Sequence, residues 1–398
     1  MADSELRHAR AGLTQVIEPA DNLGTHAAQA WGPIRLLEII QGSIPSQQDW
    51  IALAALDPGD GQYTKMLRHK LGEAIDRWRR RGKYLQPETA LHYITKLGGK
   101  FLVPEDPHWP PALADLEGSA PLGLWTLGEA PIPQVEASLA IVGSRESTSY
   151  GDRATTNLVA HARGMGLTVV SGGAYGIDAT AHRAALERSG QGTPTVAVLA
   201  GGLDRLYPAG NTQLLQQIAK RGLLITEMPP GMRPNRYRFL NRNRLIAALS
   251  AATIVVEARY RSGALSTANH AHDLDRTVGA VPGPINVPTS AGCHRLIKES
   301  PTQLVDDATD LDAFYGSTTE APPASTAAAN QRNYDILDLE EMLVFDALPV
   351  STTTNISHLT GLTGLPVPQI TGILTRLERY GLAAQTTSGW KKRRDTLS

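Results

Sequence analysis

The stretch "LTVVSGGAYGIDATAHRAALERSG", residues 167–190, joins an uninterrupted apolar run to a glycine-rich turn and a segment with helical spacing. Continuous apolar runs of this kind are typical of strands buried on both faces, as in a parallel sheet covered by helices. Five more runs occur, at residues 138–144, 195–202, 223–228, 252–258 and 277–283. The sequence therefore predicts an α/β fold with a Rossmann-like, doubly wound and mostly parallel sheet over residues 96–315, which binds ligands at the carboxyl ends of its strands.

The chain has 398 residues, enough for about two or three domains. Residues 1–95 have helical periodicity and few β-branched runs, which predicts a small helical domain. Residues 316–333 are mostly small and polar and contain proline, as flexible linkers do. Residues 334–398 predict three helices and a hairpin around Ser388–Gly389, the arrangement of a winged helix. Its third helix is mostly apolar, so DNA reading and binding of a partner protein both stay open.

Composition points to no particular partner, because the formal net charge is −1 and any electrostatic site must come from local clustering. The single cysteine, Cys293, excludes an intramolecular disulfide and a Cys-based zinc site. The first thirty residues lack the apolar core of a signal peptide, and no apolar stretch reaches about eighteen residues. We expect a soluble cytoplasmic protein with no membrane partner.

Several catalytic motifs are missing from the sequence. It lacks the P-loop G-x-x-x-x-G-K-[ST], and its first strand-to-helix turn lacks G-x-G-x-x-G. H-E-x-x-H and G-x-S-x-G are also missing, and no set of nucleophile, base and orienting group can be assembled from the loops. We therefore expect a protein without catalytic residues, metal or cofactor.

Two turns after predicted strands have the chemistry of anion binding. In Gly143-Ser144-Arg145 a glycine lets the backbone approach an anion, a hydroxyl can donate, and a guanidinium offers a fork that suits phosphate. A tight turn with one surface arginine explains this motif equally well. In residues 171–178, "SGGAYGID", three glycines before a helix can form a cradle of backbone N–H groups, or serve only close packing.

Smaller features of these loops have structural interpretations. Asp178 could cap the helix or orient a neighbouring arginine, and the cap is slightly favoured. His182 is expected to be a packed helical histidine rather than a catalyst. Tyr207-Pro208 followed by Asn211 is expected to form a rigid turn with a helix cap.

Positive charge is concentrated in two segments. Residues 233–244, "RPNRYRFLNRNR", hold five arginines and two aromatics without an acid. Positive groups that follow the phosphates, with aromatic rings for the bases, are what sequence-independent binding of single-stranded DNA requires. Residues 65–83 hold eight basic side chains against two acids, and either a solvated helix face or an accessory phosphate-contacting surface explains them.

A series of motifs resembles the DNA-processing protein A family (DprA, also called Smf). In chain order they are "AIVGSR", "VVSGGAYGIDATAH", "GGLDRLYPAGN", "ITEMPPGMRPNRYRFLNRNRLIAALS", "VVEA", "SGALSTANHA" and "AVPG", between about residues 100 and 300. The resemblance implies a domain like a sterile alpha motif (SAM-like) before the Rossmann-like core and a winged helix after it. It also implies a non-enzymatic protein that protects single-stranded DNA in natural transformation, delivers it to the RecA recombinase, and forms a homodimer through the Rossmann-like domain.

In that family the G-S-R arginine and the F-x-x-R-N-R segment line a basic pocket that grips the DNA backbone, beside the glycine-rich loop. The DNA-binding residues implied here are Gly143, Ser144, Arg145, Gly172, Gly173, Tyr175, Gly176, Phe239, Arg242, Asn243 and Arg244. Two positions depart from the family pattern: Tyr175 replaces a basic residue, and Leu240 stands where a proline is common. The other arginines of the segment, Arg233, Arg236 and Arg238, are expected to form a solvated rim.

Two other functions compete with this interpretation. Phosphoribohydrolases with a related Rossmann-like fold carry P-G-G-x-G-T-x-x-E, but the nearest segment here, residues 280–292, lacks the glycine run and the acid. A transcription regulator would join a ligand-sensing α/β domain to a winged helix. The strongest basic cluster lies in the α/β region, which favours DNA binding there.

Overall fold

A computed structural model describes residues 4–56, 61–188, 192–316, 337 and 339–393. Residues 1–317 and 318–398 form two compact units. The strands of the first unit are β1 (Gly99–Leu102), β2 (Leu124–Leu127), β3 (Ser138–Val142), β4 (Thr168–Gly172), β5 (Thr195–Val198), β6 (Leu223–Thr226), β7 (Ala252–Val255), β8 (Thr277–Ala280) and β9 (Gln303–Leu304).

These strands form one sheet in the order β1-β2-β6-β5-β4-β3-β7-β8-β9. The neighbours from β6 to β9 pair in parallel, whereas β2 pairs antiparallel with both β1 and β6. Strands β3 to β8 coincide with the six predicted apolar runs, so the predicted Rossmann-like sheet is confirmed. The strand order reverses between β3 and β7, and a crevice opens at the carboxyl ends of strands at such a switch point.

Helices cover both faces of the sheet and build the N-terminal region. They are α1 (Ser4–Val16), α2 (Asn22–Trp31), α3 (Pro33–Gln41), α4 (Gln47–Leu56), α5 (Gly61–Gly82), α6 (Pro87–Lys96), α7 (Ser149–Gly164), α8 (Ile177–Glu187), α9 (Thr212–Arg221), α10 (Arg236–Ala248), α11 (Ala264–Asp273), α12 (Ala291–Glu299) and α13 (Asp310–Phe314). None of the described helices combines the length and the apolar character needed to cross a bilayer.

The N-terminal helices have a core of their own and also share one with the sheet. Leu36, Ile39 and Trp78 pack in the helical core, whereas Ile94 packs with Trp125 of β2. The helical content expected before residue 95 is therefore present, but residues 1–317 stay one compact unit. A separate domain with a boundary at residue 95 stays a prediction.

The basic segment 65–83 lies mostly on α5, and several of its arginines hold the N-terminal helices together. Arg79 donates to the carbonyls of Ile39 and Ser43, and Arg77 pairs with Asp21 at 3.3 Å. These contacts account for part of the cluster without any ligand. Arg80 and Lys83 are exposed to solvent.

The second unit contains α14 (Leu339–Ala347), α15 (Ile356–Thr363), α16 (Val367–Arg379), β10 (Ala383–Thr386) and β11 (Gly389–Lys392). β10 and β11 pair antiparallel with Thr386 opposite Gly389. Three helices and this hairpin are the elements predicted for a winged helix, whose functional role stays a prediction. The predicted linker, 316–333, lies outside the described residues except for Gly316.

One glycine of the loop after β4 is required by both conformation and space. Gly176 has a φ of +69°, and a Cβ there would overlap the carbonyl oxygen of Ser144. That carbonyl accepts a hydrogen bond from the N–H of Ile177, the first residue of α8. Gly176 therefore lets the start of α8 contact the loop after β3.

We expect Gly176→Ala to lower the free energy of unfolding by more than about 2 kcal/mol, because it adds a steric overlap to the cost of a positive φ. Gly166→Ala is the matched control, since Gly166 has a φ of +83° and nothing within 4 Å of an added Cβ. The control should lose about 1 kcal/mol in the same denaturant titration. Equal losses would contradict the steric role.

The prediction that His182 is a packed helical histidine agrees with its surroundings. The ring is buried, with Nε2 at 2.8 Å from the carbonyl oxygen of Gly172 and Nδ1 at 2.7 Å from the hydroxyl of Thr195. A carbonyl accepts only, so Nε2 carries the proton in the neutral ring. Burial lowers the pKa of His182 from 6.5 to about 4, against the opposing effect of the Gly172 hydrogen bond.

This lowered pKa predicts acid destabilisation. The unfolded chain takes up a proton at His182 below about pH 6.5 while the folded chain does not, so His182 costs stability as the pH falls towards 4. Relative to His182→Gln, the protein should lose about 3 kcal/mol of unfolding free energy between pH 7 and pH 4. If urea titrations show that the unfolding free energies of the two proteins change by the same amount between pH 7 and pH 4, the lowered pKa of His182 is contradicted.

Candidate functional site

A crevice of about 460 Å³ opens at the carboxyl ends of β3 and β7, where the strand order reverses. Its walls come from the loop after β3, the start of α8, the helix α10 and the loop after β7. The lining includes Gly143, Ser144, Arg145, Asp178, Phe239, Arg242, Asn243, Arg259 and Arg261. The switch point of the sheet thus brings together segments that are far apart in the sequence.

The guanidinium of Arg242 lies buried in this crevice. One of its nitrogens donates to the carbonyl of Val198 at the end of β5, and Nε donates to Oδ1 of Asn243 at 3.2 Å. The buried carboxylate of Asp178 supplies the opposite charge. Burial lowers the pKa of Arg242 to about 10, and the charge of Asp178 opposes that shift while Arg145 adds to it. Arg242 is therefore a fixed positive charge at neutral pH.

The glycine that ends β4 makes this arrangement possible. A Cβ on Gly172 would overlap both the Arg242 guanidinium and the Asp178 carboxylate. Gly173 is equally confined, because a Cβ there would approach the side chain of Leu199 to 2.6 Å. Close packing thus accounts for these two glycines. Asp178 lies in the first turn of α8 and is not the helix cap, which is Gly176. Its buried carboxylate accepts from the backbone N–H groups of Ala174 and Gly143 and lies close enough to Arg242 for their charges to interact.

A cation and two aromatic rings follow one another at the crevice. The Arg145 guanidinium lies over the Phe239 ring, 5.2 Å from its centroid, and the Tyr207 ring centroid lies 5.9 Å from that of Phe239. Tyr207 is 52% exposed. An arginine over an aromatic face keeps its donors free for an anion while the ring holds it in place. The structure therefore presents a cation beside two aromatic rings.

The first predicted loop is held mainly by its own contacts. The hydroxyl of Ser144 donates to the carbonyl of Glu146 and accepts from its N–H. In contrast to the expectation, this hydroxyl is therefore used within the loop and does not face a ligand. The buried carboxylate of Glu257 follows β7 and accepts from the N–H and the hydroxyl of Thr148, just before α7. Glu257 was not predicted; it fixes where α7 begins beside the loop that carries Arg145.

Tyr175 of the glycine-rich loop does not line the crevice but contacts the loop after β5. Tyr175 is 45% exposed, and its hydroxyl accepts from the N–H of Gly210. Asn211 occupies the N-cap position of α9 but makes no side-chain capping hydrogen bond. Its side-chain amide donates to the carbonyls of Gly173 and Ala174. The loop after β5 thus holds the glycine-rich loop in place.

The five arginines of residues 233–244 have different environments. The structure does not bring Arg244 to the crevice: its side chain is buried and forms a two-armed ion pair with Glu227, at 2.6 and 2.7 Å. Nor is Arg238 a solvated rim residue, because it is buried and pairs with Glu18 of the N-terminal region. Arg233 and Arg236 are exposed, as expected.

Two arginines of the crevice were not identified from the sequence. Arg259 and Arg261 line it from the loop after β7; Arg259 pairs with Glu146 at 2.8 Å, and Arg261 is exposed. The segment "ARYRSG" directly after a buried strand was a usable signal, since all parallel strands present their carboxyl ends at the same edge.

Residues 100–316 match the family described as DNA recombination-mediator protein A. A DNA processing protein DprA of Mycobacterium tuberculosis is 43% identical over 315 residues, which are 76% of this chain and 79% of the relative. The chain belongs to the DNA recombination-mediator protein A family. Protein Smf of Synechocystis is 30% identical over 384 residues, covering 89% of this chain and 93% of that protein.

The fold agrees with this family. The crystal structure of DNA processing protein A from Streptococcus pneumoniae superposes with a TM-score of 0.55 at 30% identity, covering 71% of this chain and 96% of that one. Family membership confirms the resemblance predicted from the motifs and gives the chain a DNA-processing role in recombination.

Removing one partner of the Arg244–Glu227 pair is expected to destabilise the fold. Arg244→Met should lower the unfolding free energy by about 3–5 kcal/mol, because it leaves the buried Glu227 carboxylate without its partner. Combining it with Glu227→Leu should recover most of that loss, since no buried charge then remains. Urea titrations of the unmodified protein, the single variant and the double variant measure both effects. A loss of DNA affinity in a stably folded Arg244→Met would show instead that Arg244 contacts DNA.

Proposed function

We propose that this chain binds single-stranded DNA without sequence preference and has no catalytic activity of its own. The observation that carries the proposal is the convergence of Arg145, Arg242 and Phe239 in one crevice at the switch point of the sheet. A charge fixed in the protein, an exposed guanidinium and an aromatic ring are the parts that a sequence-independent site for a single strand needs.

The parts have separate roles in this proposal. Arg145 and Arg261 are exposed and contact phosphate oxygens. The buried Arg242 contributes its field and positions the walls through Val198 and Asn243. Phe239 and Tyr207 stack on bases, an interaction that contributes about 1–3 kcal/mol per base and tolerates any base. Asn243 supports the site by donating to the carbonyl of Gly263 in the loop after β7.

The wider role follows from the family. We propose that the chain protects single-stranded DNA and loads the RecA recombinase during natural transformation or homologous recombination, as a homodimer built through the Rossmann-like region. Support comes from membership in a family of recombination mediators and from relatives named as DNA processing proteins. An assay of RecA filament assembly on single-stranded DNA that this protein has coated tests the loading step.

Arg145→Ala should weaken binding of oligo(dT) by about ten-fold and reduce the dependence of log affinity on log salt by about 0.7, the value for one lost phosphate contact. Fluorescence anisotropy over a salt series measures both. Arg221→Ala is the matched control, because Arg221 is exposed at the end of α9, away from the crevice. It should bind as the unmodified protein does.

Duplex DNA of the same length completes the experiment. Weaker binding to duplex than to single strands is expected, because stacking needs unpaired bases. Tight, sequence-dependent duplex binding that Arg145→Ala leaves unchanged would contradict the proposal and favour a transcription regulator. Unchanged single-strand affinity in Arg145→Ala would refute the site.

A further inference from the structure

A second groove, of about 770 Å³, lies within the first unit between the N-terminal helices and the loop after β6. Tyr84 and Tyr93 line it from the N-terminal side, and Met232 and Arg238 line it from the other side. The proposed function above does not use this groove. Its residues come mainly from α6, from the segment before it and from the stretch that leads into α10, with others from α1, α5 and the loop after β5.

A small cavity lies between the crevice and the second groove along the edge of the sheet. Gly202, Tyr207, Pro234, Phe239 and Arg242 are among the residues that line that cavity, and the last two also line the crevice. The loops after β5 and β6 then meet, since the N–H of Gly202 donates to the carbonyl of Met232 at 2.8 Å, and Met232 lines the second groove. The three spaces thus follow one another along the carboxyl edge of the sheet.

The chemistry of the second groove suits bases better than a charged partner. Tyr84 is 82% exposed and Tyr93 43% exposed, which leaves ring faces open. Of the two acids that line the groove, Glu18 is neutralised, because it pairs with both Arg238 and Arg81. Asp204 accepts from the N–H of Gly231.

Positive charge lies where a single strand of DNA would pass from the crevice to the second groove. Arg233 and Arg236 precede Arg238 at the start of α10 and are exposed. Within the part of the chain that the structure describes, neither side chain forms an ion pair. The carbonyl of Arg233 accepts from Arg238, which places the backbone of Arg233 beside the groove.

We propose that the second groove continues the path of the single strand, with Tyr84 and Tyr93 stacking on bases that leave the crevice past Phe239 and Tyr207. This inference rests on the proposed function. From β3 to β6 the path crosses three interstrand spacings, about 14 Å. Several nucleotides beyond those in the crevice are therefore bound, and Arg233 and Arg236 contact their phosphates.

The test compares short and long oligo(dT), of about 6 and about 18 nucleotides, on the unmodified chain and on the double variant Tyr84→Ala with Tyr93→Ala. The short oligomer should bind both proteins equally. The long one should bind the double variant at least about ten-fold more weakly, from the loss of two stacking rings. Ile44→Ala is the control, because Ile44 is also 82% exposed in the N-terminal region; it should change neither affinity.

The outcomes separate this inference from the proposed function. Equal affinity of the double variant and the unmodified chain for the long oligomer would overturn the second groove alone, provided that Arg145→Ala still weakens the short one. Failure of the unmodified chain to bind either oligomer would overturn the proposed function. A changed oligomeric state of the double variant, with unchanged affinity for the long oligomer, would assign the groove to a second copy of the chain.

Discussion

The buried guanidinium of Arg242 is the constraint on which the site depends. A buried cation is costly unless opposite charge and acceptors surround it, and here Asp178, the carbonyl of Val198 and Asn243 meet that need. Those partners come from α8, from the end of β5 and from α10 itself. Satisfying one charge therefore fixes three segments of the sheet edge relative to one another, and Gly172 supplies the space in which they meet.

Buried and exposed groups have different roles in the site. Ion pairs set the geometry: the buried pair of Arg244 with Glu227 and the half-buried pair of Arg238 with Glu18 anchor α10 at two points. The groups left for a ligand are exposed and held by rings, as Arg145 is over Phe239. Such a site keeps its shape without DNA, so less ordering entropy is lost on binding.

Much of the fold follows from local pattern, because strands buried on both faces are continuous apolar runs. The six runs became β3 to β8, and the loops after them meet where expected. The strands β1, β2 and β9 were not predicted; Lys100 interrupts the apolar residues of β1, and β9 has only two residues. The roles of individual arginines could not be predicted from local sequence either, because their partners are distant in the chain. Glu227 lies 17 residues from Arg244, and Glu18 lies 220 residues from Arg238. Arginine spacing is the same whether the side chain faces DNA or a buried acid.

Photo-crosslinking of bromodeoxyuridine-substituted single-stranded DNA, followed by mass spectrometric mapping of the adducts, tests the central claim most directly. Aromatic side chains that stack on bases are the expected sites of attachment. Adducts should fall on Phe239 and Tyr207, whose ring centroids lie 5.9 Å apart beside the crevice. Adducts confined to residues 339–393, with none in the first unit, would contradict the account and move the DNA-binding role to the C-terminal unit.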